Sequence, residues 1–502
     1  MRQWPILLSG FVGLGIGGLA TYNRTELKPA HVPTAPTAVS TTAIPAMQSV
    51  TSVTNLYNSM CAKCHGERAQ GGGGGTKSLN TKEKFLQKYD KIFFDTIKNG
   101  TEDTMEAYGT TLTDQQIWGL VVHIRELQAS ALRAEFGDPK PVNGVFPSTS
   151  HPYKVETVVD RGKGLQIPWS LDWLPDGTML VANRPGALVK VKNGDVIATI
   201  EGTPKVYQNG QAGLMDVAVH PNYSKNGWIY LSFSDIGRDN PSLGFTKIVR
   251  GKLDGNKWVS QETIFEADQK HYSGGGVHFG SRIVFDGKGH IFFCSGERGR
   301  GPLAQDLSRP NGKIFRTFED GTIPPDNPFA KSPNGELPQI WSYGHRNPQG
   351  LALDLSGQLW DTEHGPRGGD EVNKIEKAAN YGWPLIAFSI NYNDAPMETP
   401  WPKAGQNFKL PAFRWLPSIG ACGLDVIRGN AFPKWKGDLV AGGLVGQNID
   451  RIRMKNGEFV EREELIHNIG RVRDVVVGPD GNIYAALNDP DKIIRIVPAS
   501  TR

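Results

Sequence analysis

The chain has 502 residues and a formal net charge of +4, with its charged residues spread along it and no basic block. That balance gives no argument for nucleic-acid binding. Four cysteines, Cys61, Cys64, Cys294 and Cys422, are too few for a disulfide framework to hold the fold. Sixty glycines and 34 prolines suit a turn-rich β body, and the length allows two or three domains.

Residues 1–23 read as an export segment. Arg2 precedes an uncharged run, WPILLSGFVGLGIGGLA, and small residues follow around Gly18 to Ala20. The run spans 17 residues, at the lower edge of what crosses a bilayer as a helix. A cleaved signal peptide is therefore the first reading and an uncleaved membrane anchor the second. Residues 24–51, rich in Thr, Ala and Pro, read as a tether.

The next unit, 52–132, is built around CAKCH at Cys61–His65, the spacing of a c-type haem attachment site. Cys61 and Cys64 would bond the haem covalently and His65 would be the proximal iron ligand. A zinc site would need a second ligand pair, and the rest of the unit offers only His123, read as a surface or packing residue. A thioredoxin-like motif would need βαβ patterning, which is missing. VTNLYNSMCAKC predicts a short helix, and KEKFLQKYDKIFFDTIKN a second one ended by Gly100. Thr113 and Gln116 form a capping box that opens a third, with Ile117, Leu120, Val121, Ile124 and Leu127 at helical spacing. The stretch 100–127 resembles the methionine-ligand loop and last helix of bacterial cytochromes c. Met105 is then the implied distal ligand, and a Met/His pair raises a haem's potential.

Residues 133–152, with four prolines, read as a second linker. From 153 to 502 one pattern recurs six times: an apolar strand, a turn with Asp, Gly or Asn, and a second apolar strand. The copies begin at Leu171, Val217, Ile283, Leu351, Val426 and Val475. Six such hairpins with no long helical pattern between them predict an all-β six-bladed β-propeller, preceded by a small all-α cytochrome c domain. A β-sandwich is the alternative. The second strand of each copy ends in polar residues, which a propeller would collect at one mouth of its channel.

Several words within these repeats carry a resemblance. GHRNPQG at 344–350, EHGPRGGDE at 363–371 and NYGWP at 380–384 are joined by GQAGLMDVAVHPNY from Gly210, GGVHFGSRIVF from Gly275 and RVRD at Arg471–Asp474. Together they resemble the soluble quinoprotein glucose/sorbosone dehydrogenases, which use pyrroloquinoline quinone (PQQ) and calcium on a six-bladed propeller. The resemblance implies His278 as catalytic base, removing the proton of a sugar's C1 hydroxyl as hydride passes to the quinone. It places Gln211 in an active-site loop and Arg346 beside the reduced cofactor. It gives Asn347, Arg471 and Arg473 contacts to PQQ, a trianion that needs fixed cations. The carbonyls of Gly365 and Pro366 would hold the catalytic calcium, and Asp370, Glu371 and Tyr381 a structural one, with some ligands backbone oxygens. His220 and His345 read as structural, and Cys294 and Cys422 as free buried thiols, a bridge between them being the other option.

Three departures stand out. The glucose-oxidising members carry an aspartate where this chain has Val277. No lysine lies between Gly442 and Arg453, where they contact PQQ with one. Their long aromatic insertion over the substrate is not recognisable, and the shorter form is closer to bacterial aldose sugar dehydrogenases. The expected protein is an exported quinohaemoprotein. It oxidises aldoses at C1 to lactones and passes electrons to its own haem c, then to a respiratory cytochrome or quinone. The alternatives are sorbosone-type aldehyde oxidation, a PQQ-free binding module with a redox haem, and a propeller hydrolase such as a lactonase.

Overall fold

A computed structural model describes residues 52–102 and 104–499; the predicted export segment and tether lie outside the described residues. Six four-stranded antiparallel sheets occupy 168–199, 214–265, 283–343, 348–415, 421–466 and 471–498 with 153–159, the first five running in chain order from inner to outer strand. Every one of the six predicted repeats forms an inner hairpin, so the propeller expectation holds. The turns show why. In LDLSGQLW, Asp354 accepts from the backbone N–H groups of Ser356 (2.8 Å) and Gln358 (3.0 Å), and Gly357 takes the left-handed conformation that closes the hairpin.

The last blade has only three strands from its own stretch of chain. Its outer edge is supplied by Tyr153–Val159, which pairs with Lys492–Pro498 and closes the ring. Closure removes the exposed sheet edges an open array would carry. Inner strands are also stapled blade to blade by aspartates. Asp172 accepts from Val219 N (2.6 Å), Asp216 from Ile283 N (2.7 Å), Asp425 from Val477 N (2.8 Å) and Asp474 from Leu171 N (3.2 Å). The stretch expected as a linker is partly ordered against the propeller: Phe146 bridges to Tyr153 and stacks on its ring at 5.3 Å.

The helical domain contains α1 (Val53–Leu56), a π-turn Tyr57–Cys61, α2 (Ala62–His65), α3 (Tyr89–Asn99) and α4 (Asp114–Phe136). The Thr113–Gln116 capping box opens α4 as expected. The second helix is shorter than its sequence suggests. Carbonyls that would continue it upstream are taken from outside: Arg125 donates to Lys84 O (2.6 Å) and Leu86 O (2.9 Å), and Gln128 to Lys84 O (3.5 Å). His123 packs, buried, against the Tyr57 ring at 5.0 Å.

This domain shares its core with the fourth blade. Trp118, Val122 and Leu120 of α4 belong to the same buried cluster as Phe388, Ile390 and Leu416 of the propeller. Polar contacts ring that cluster. Arg367 makes a two-pronged pair with Glu126 (2.8 and 2.7 Å) and reaches Asp394 (2.8 Å), which also accepts from Thr54 N. Asp90, buried, pairs with both Arg125 and Arg414. Among the described residues no helix is long and apolar enough to cross a membrane.

Candidate active site

The polar ends of the inner hairpins gather His278, Glu297, Arg346, Asn347, His364, Gln211, Arg184, Arg471 and Arg473. His278 lies in a glycine-rich loop and adopts a left-handed backbone (φ +56°), a conformation an L-residue keeps only when its surroundings hold it. Two neighbours do so. Gln211 Oε1 accepts from His278 N (2.9 Å), and Arg298 stacks on the Phe279 ring at 3.6 Å while donating to the carbonyls of Val277 and Gly275. Gly296 lies against the His278 carbonyl so closely that a Cβ there would collide with it.

The imidazole Nδ1 of His278 is hydrogen-bonded to the buried carboxylate of Glu297. Burial lowers the His278 pKa, opposed by the Glu297 hydrogen bond and reinforced by the nearby charge of Arg346. A neutral imidazole with its other nitrogen available is the state a proton acceptor needs. Sequence reasoning missed Glu297. Its signal was the acidic end of the strand IFFCSGE, but the family pattern drew attention to position 277, where Val277 is 41% exposed and makes no such contact.

Arg346 and Asn347 precede the inner strand of the fourth blade. Arg346 donates to the carbonyls of His364 (3.2 Å) and Gly365 (3.1 Å), and its guanidinium lies over the Trp383 ring at 5.3 Å. Asn347 is fully buried: its Oδ1 accepts from Gly280 N (3.1 Å) and its Nδ2 lies 3.3 Å from His364 Nδ1. His364 is flanked by Arg346, His278 and Arg473, and burial with these charges drives its pKa down to about 3.

His364 also lines a cavity of about 210 Å³, with Trp169, Arg184, Gln211, Gln349, Arg471 and Arg473 among its walls. Arg473 lies over the Trp169 ring at 4.2 Å and bonds Asn488 (2.5 Å); burial and the neighbouring Arg471 lower its pKa to about 10. Among the described residues none of Arg184, Arg346, Arg471 and Arg473 is paired with a carboxylate, and the Nε atoms of Arg184 and Arg346 are buried without a partner. Such a set fits a planar polyanion such as PQQ.

The residues expected at calcium are placed less directly. The Gly365 oxygen accepts from Arg346, which leaves one lone pair for a cation. Asp370 is saturated, accepting from Gly365 N, Ser418 Oγ, Ile419 N and Ala421 N. Tyr381 spends its hydroxyl on Lys374 O and Glu376 N. Any coordination from Asp370 or Tyr381 would therefore use backbone oxygen.

At the haem motif, Cys61 and Cys64 are free and half-buried, and Cys61 and Met105 pack against the same apolar cluster. Burial lowers the His65 pKa, favouring the neutral ring that binds metal, and Met105 is pinned by paired bonds with Thr101. These residues fit a covalently held haem with two axial ligands. Cys294 and Cys422 are separate buried thiols, and His220 ties its turn through Asn222 N (2.9 Å) and Glu319 (3.0 Å).

Known proteins resemble this chain over both of its domains. Residues 165–495 match the model of the glucose/sorbosone dehydrogenase family, and residues 48–124 that of the cytochrome c oxidase, cbb3-type, subunit III. The aldose sugar dehydrogenase YliI of Escherichia coli is 37% identical over 351 residues, covering 68% of this chain and 92% of the relative. The structure of the soluble aldose sugar dehydrogenase from Escherichia coli in the apo-form superposes with a TM-score of 0.63 at 36% identity, over 69% of this chain and all of the other. The PQQ-bound aldose sugar dehydrogenase from Streptomyces coelicolor gives 0.55 at 26%, over 69% and 98%. The chain is a β-propeller protein with an appended cytochrome c domain. It belongs to the glucose/sorbosone dehydrogenase family.

Proposed function

We propose that this chain is an exported, PQQ- and calcium-dependent aldose dehydrogenase that delivers electrons to its own haem c and then to a respiratory acceptor. The observation that carries the reading is the set of three arginines, Arg184, Arg471 and Arg473, without carboxylate partners around one cavity, with Arg346 and the His278–Glu297 pair beside His364 at its edge. Arg471, Arg473 and Arg184 would hold the carboxylates of PQQ, with Arg184 supplying a cation where the family's lysine is missing. Bound there, PQQ would supply the two-electron acceptor for the sugar's C1 hydride.

His278 takes the proton of the C1 hydroxyl on its free Nε2, while Glu297 fixes the ring and stabilises the imidazolium. A base of this kind contributes ~10²- to 10⁴-fold. Arg346 stabilises negative charge that develops at the acceptor. Asn347 holds His364 and the Gly280 backbone in register, and Gln211 fixes the His278 loop. The carbonyls of Gly365 and Pro366 would bind calcium, with Glu371 and Tyr381 offering backbone oxygens to a second ion.

The haem domain supports the electron path by where it is docked. Glu126 of α4 grips Arg367, and the Cβ position of Gly368 lies 3.3 Å from Val122, so α4 rests on the loop that begins at His364. The Arg184 and Glu297 side chains also answer the two departures that would favour a PQQ-free binding module.

The test uses the full chain with haem in place and oxidised. PQQ and Ca²⁺ are added anaerobically, followed by a panel of aldoses and sorbosone, and the reduced-haem band is followed with and without PQQ. Haem reduction that needs both an aldose and PQQ is the expected result. Reduction by no sugar, with no PQQ bound, would overturn the reading and leave the binding module in its place.

A further inference from the structure

Beneath the mouth of the channel, inside the fourth blade, three metal-competent side chains converge that the proposed chemistry does not use. His345 is 0% exposed, Asp361 0% and Glu363 3%. One donor atom from each lies within 4.8 Å of the other two. Asp361 and Glu363 alternate on the strand Leu359–Glu363, so both point to one face. His345 meets them from the loop before the strand Pro348–Leu353.

The charges there do not balance. Among the described residues no lysine or arginine side chain pairs with Asp361, Glu363 or the neighbouring Glu371. Asn373 shares its single amide between Glu363 (3.1 Å) and Glu371 (3.1 Å). Neither oxygen of Asp361 has a hydrogen-bond partner, although the residue is fully buried. A buried carboxylate without protein partners is expensive unless a cation or proton accompanies it.

The spacing suits a cation. His345 Nδ1 lies 3.0 Å from Glu363 Oε1 and 3.7 Å from Asp361 Oδ2. Those separations bracket the roughly 3.3 Å edge of a tetrahedral shell with bonds of ~2.0–2.1 Å. The other ring nitrogen of His345 is 2.9 Å from Ser342 Oγ, the outer contact that orients a ligating imidazole.

We propose that His345, Asp361 and Glu363 bind a first-row divalent cation, Zn²⁺ or Mn²⁺, as a structural metal of the fourth blade. One imidazole and two carboxylates favour such ions over Ca²⁺, which takes six to eight oxygens. None of the three is a residue that the family resemblance assigns to a metal. The site has a consequence for the mouth above it. His345 adjoins Arg346 and Glu363 adjoins His364, so one ion would clamp the roots of both loops.

The test is metal binding by the full, haem-containing, PQQ-free chain after chelator dialysis. Zn²⁺, Mn²⁺ and Ca²⁺ are each supplied alone, bound metal is counted by elemental analysis after desalting, and thermal unfolding is recorded. Wild type should retain one equivalent of Zn²⁺ or Mn²⁺ and unfold at a higher temperature with it. Asp361→Asn should lose affinity on the order of 100-fold, keep its response to Ca²⁺, and unfold above the metal-stripped wild type because a buried charge is gone. Should Asp361→Asn fail to fold, the wild-type measurement still decides. Wild type that takes up neither Zn²⁺ nor Mn²⁺, or an Asp361→Asn variant that binds them equally, would overturn the site.

Discussion

The floor and the mouth of the propeller channel both carry arginines wholly or partly withdrawn from solvent, and they treat them oppositely. At the floor, Arg282 pairs with Asp216 (2.9 Å) and Asp474 (3.1 Å), linking three blades, and its pKa is raised despite its burial. At the mouth, Arg471, Arg473, Arg184 and Arg346 meet aromatic rings, carbonyls and each other, but no carboxylate. An arginine matched inside the fold serves the fold; a group of them left unmatched around a cavity is arranged for a ligand's negative charge.

Substitutions should separate the two sets. Arg282→Met leaves Asp216 and Asp474 buried without their cation and should destabilise by about 3–5 kcal/mol in denaturant unfolding. Arg473→Met should do the reverse, weakening PQQ binding by roughly 10- to 100-fold, as loss of a charged hydrogen bond of about 1.5–3 kcal/mol implies, while changing unfolding far less than Arg282→Met, since only its contacts to Asn488 and Trp169 are lost. Equal effects of both variants on stability would erase the distinction between floor and mouth.

Glu297→Gln sharpens the mouth itself. The Glu297 carboxylate raises the His278 pKa against burial and Arg346, so removing its charge lowers that pKa further. The acid limb of the kcat/KM profile should move to lower pH. The rate should fall by less than the ~10²-fold that loss of a general base brings at minimum. The smallest effect belongs to the domain contact. Glu126→Gln breaks a part-exposed pair with Arg367 and should change unfolding by at most about 1 kcal/mol, because the apolar cluster of Trp118, Phe388 and Leu416 holds the domains together.

The six inner hairpins were legible because each announces itself locally, by two apolar strands around an Asp or Gly turn. The closing strand Tyr153–Val159 was not, since its partner Lys492–Pro498 lies at the far end of the propeller sequence. The same separation hid the site's supporting groups. Arg184 ends one inner hairpin and Glu297 another, and neither lies in a motif. The helix over 82–88 was misjudged because Arg125, some forty positions on, takes the carbonyls it would need. Single residues, by contrast, were legible where a motif carries them, as in CAKCH and GHRN.

The most direct measurement of the account is the rate at which the haem is reduced after an aldose is mixed anaerobically with the oxidised, PQQ-loaded chain, over a range of protein concentrations. A docked cytochrome fed by a quinone in the same chain predicts a first-order rate independent of protein concentration, with an amplitude that saturates at one PQQ per chain. A rate that rises in proportion to protein concentration would mean that electrons pass between molecules, and would contradict the single-chain route from channel mouth to haem.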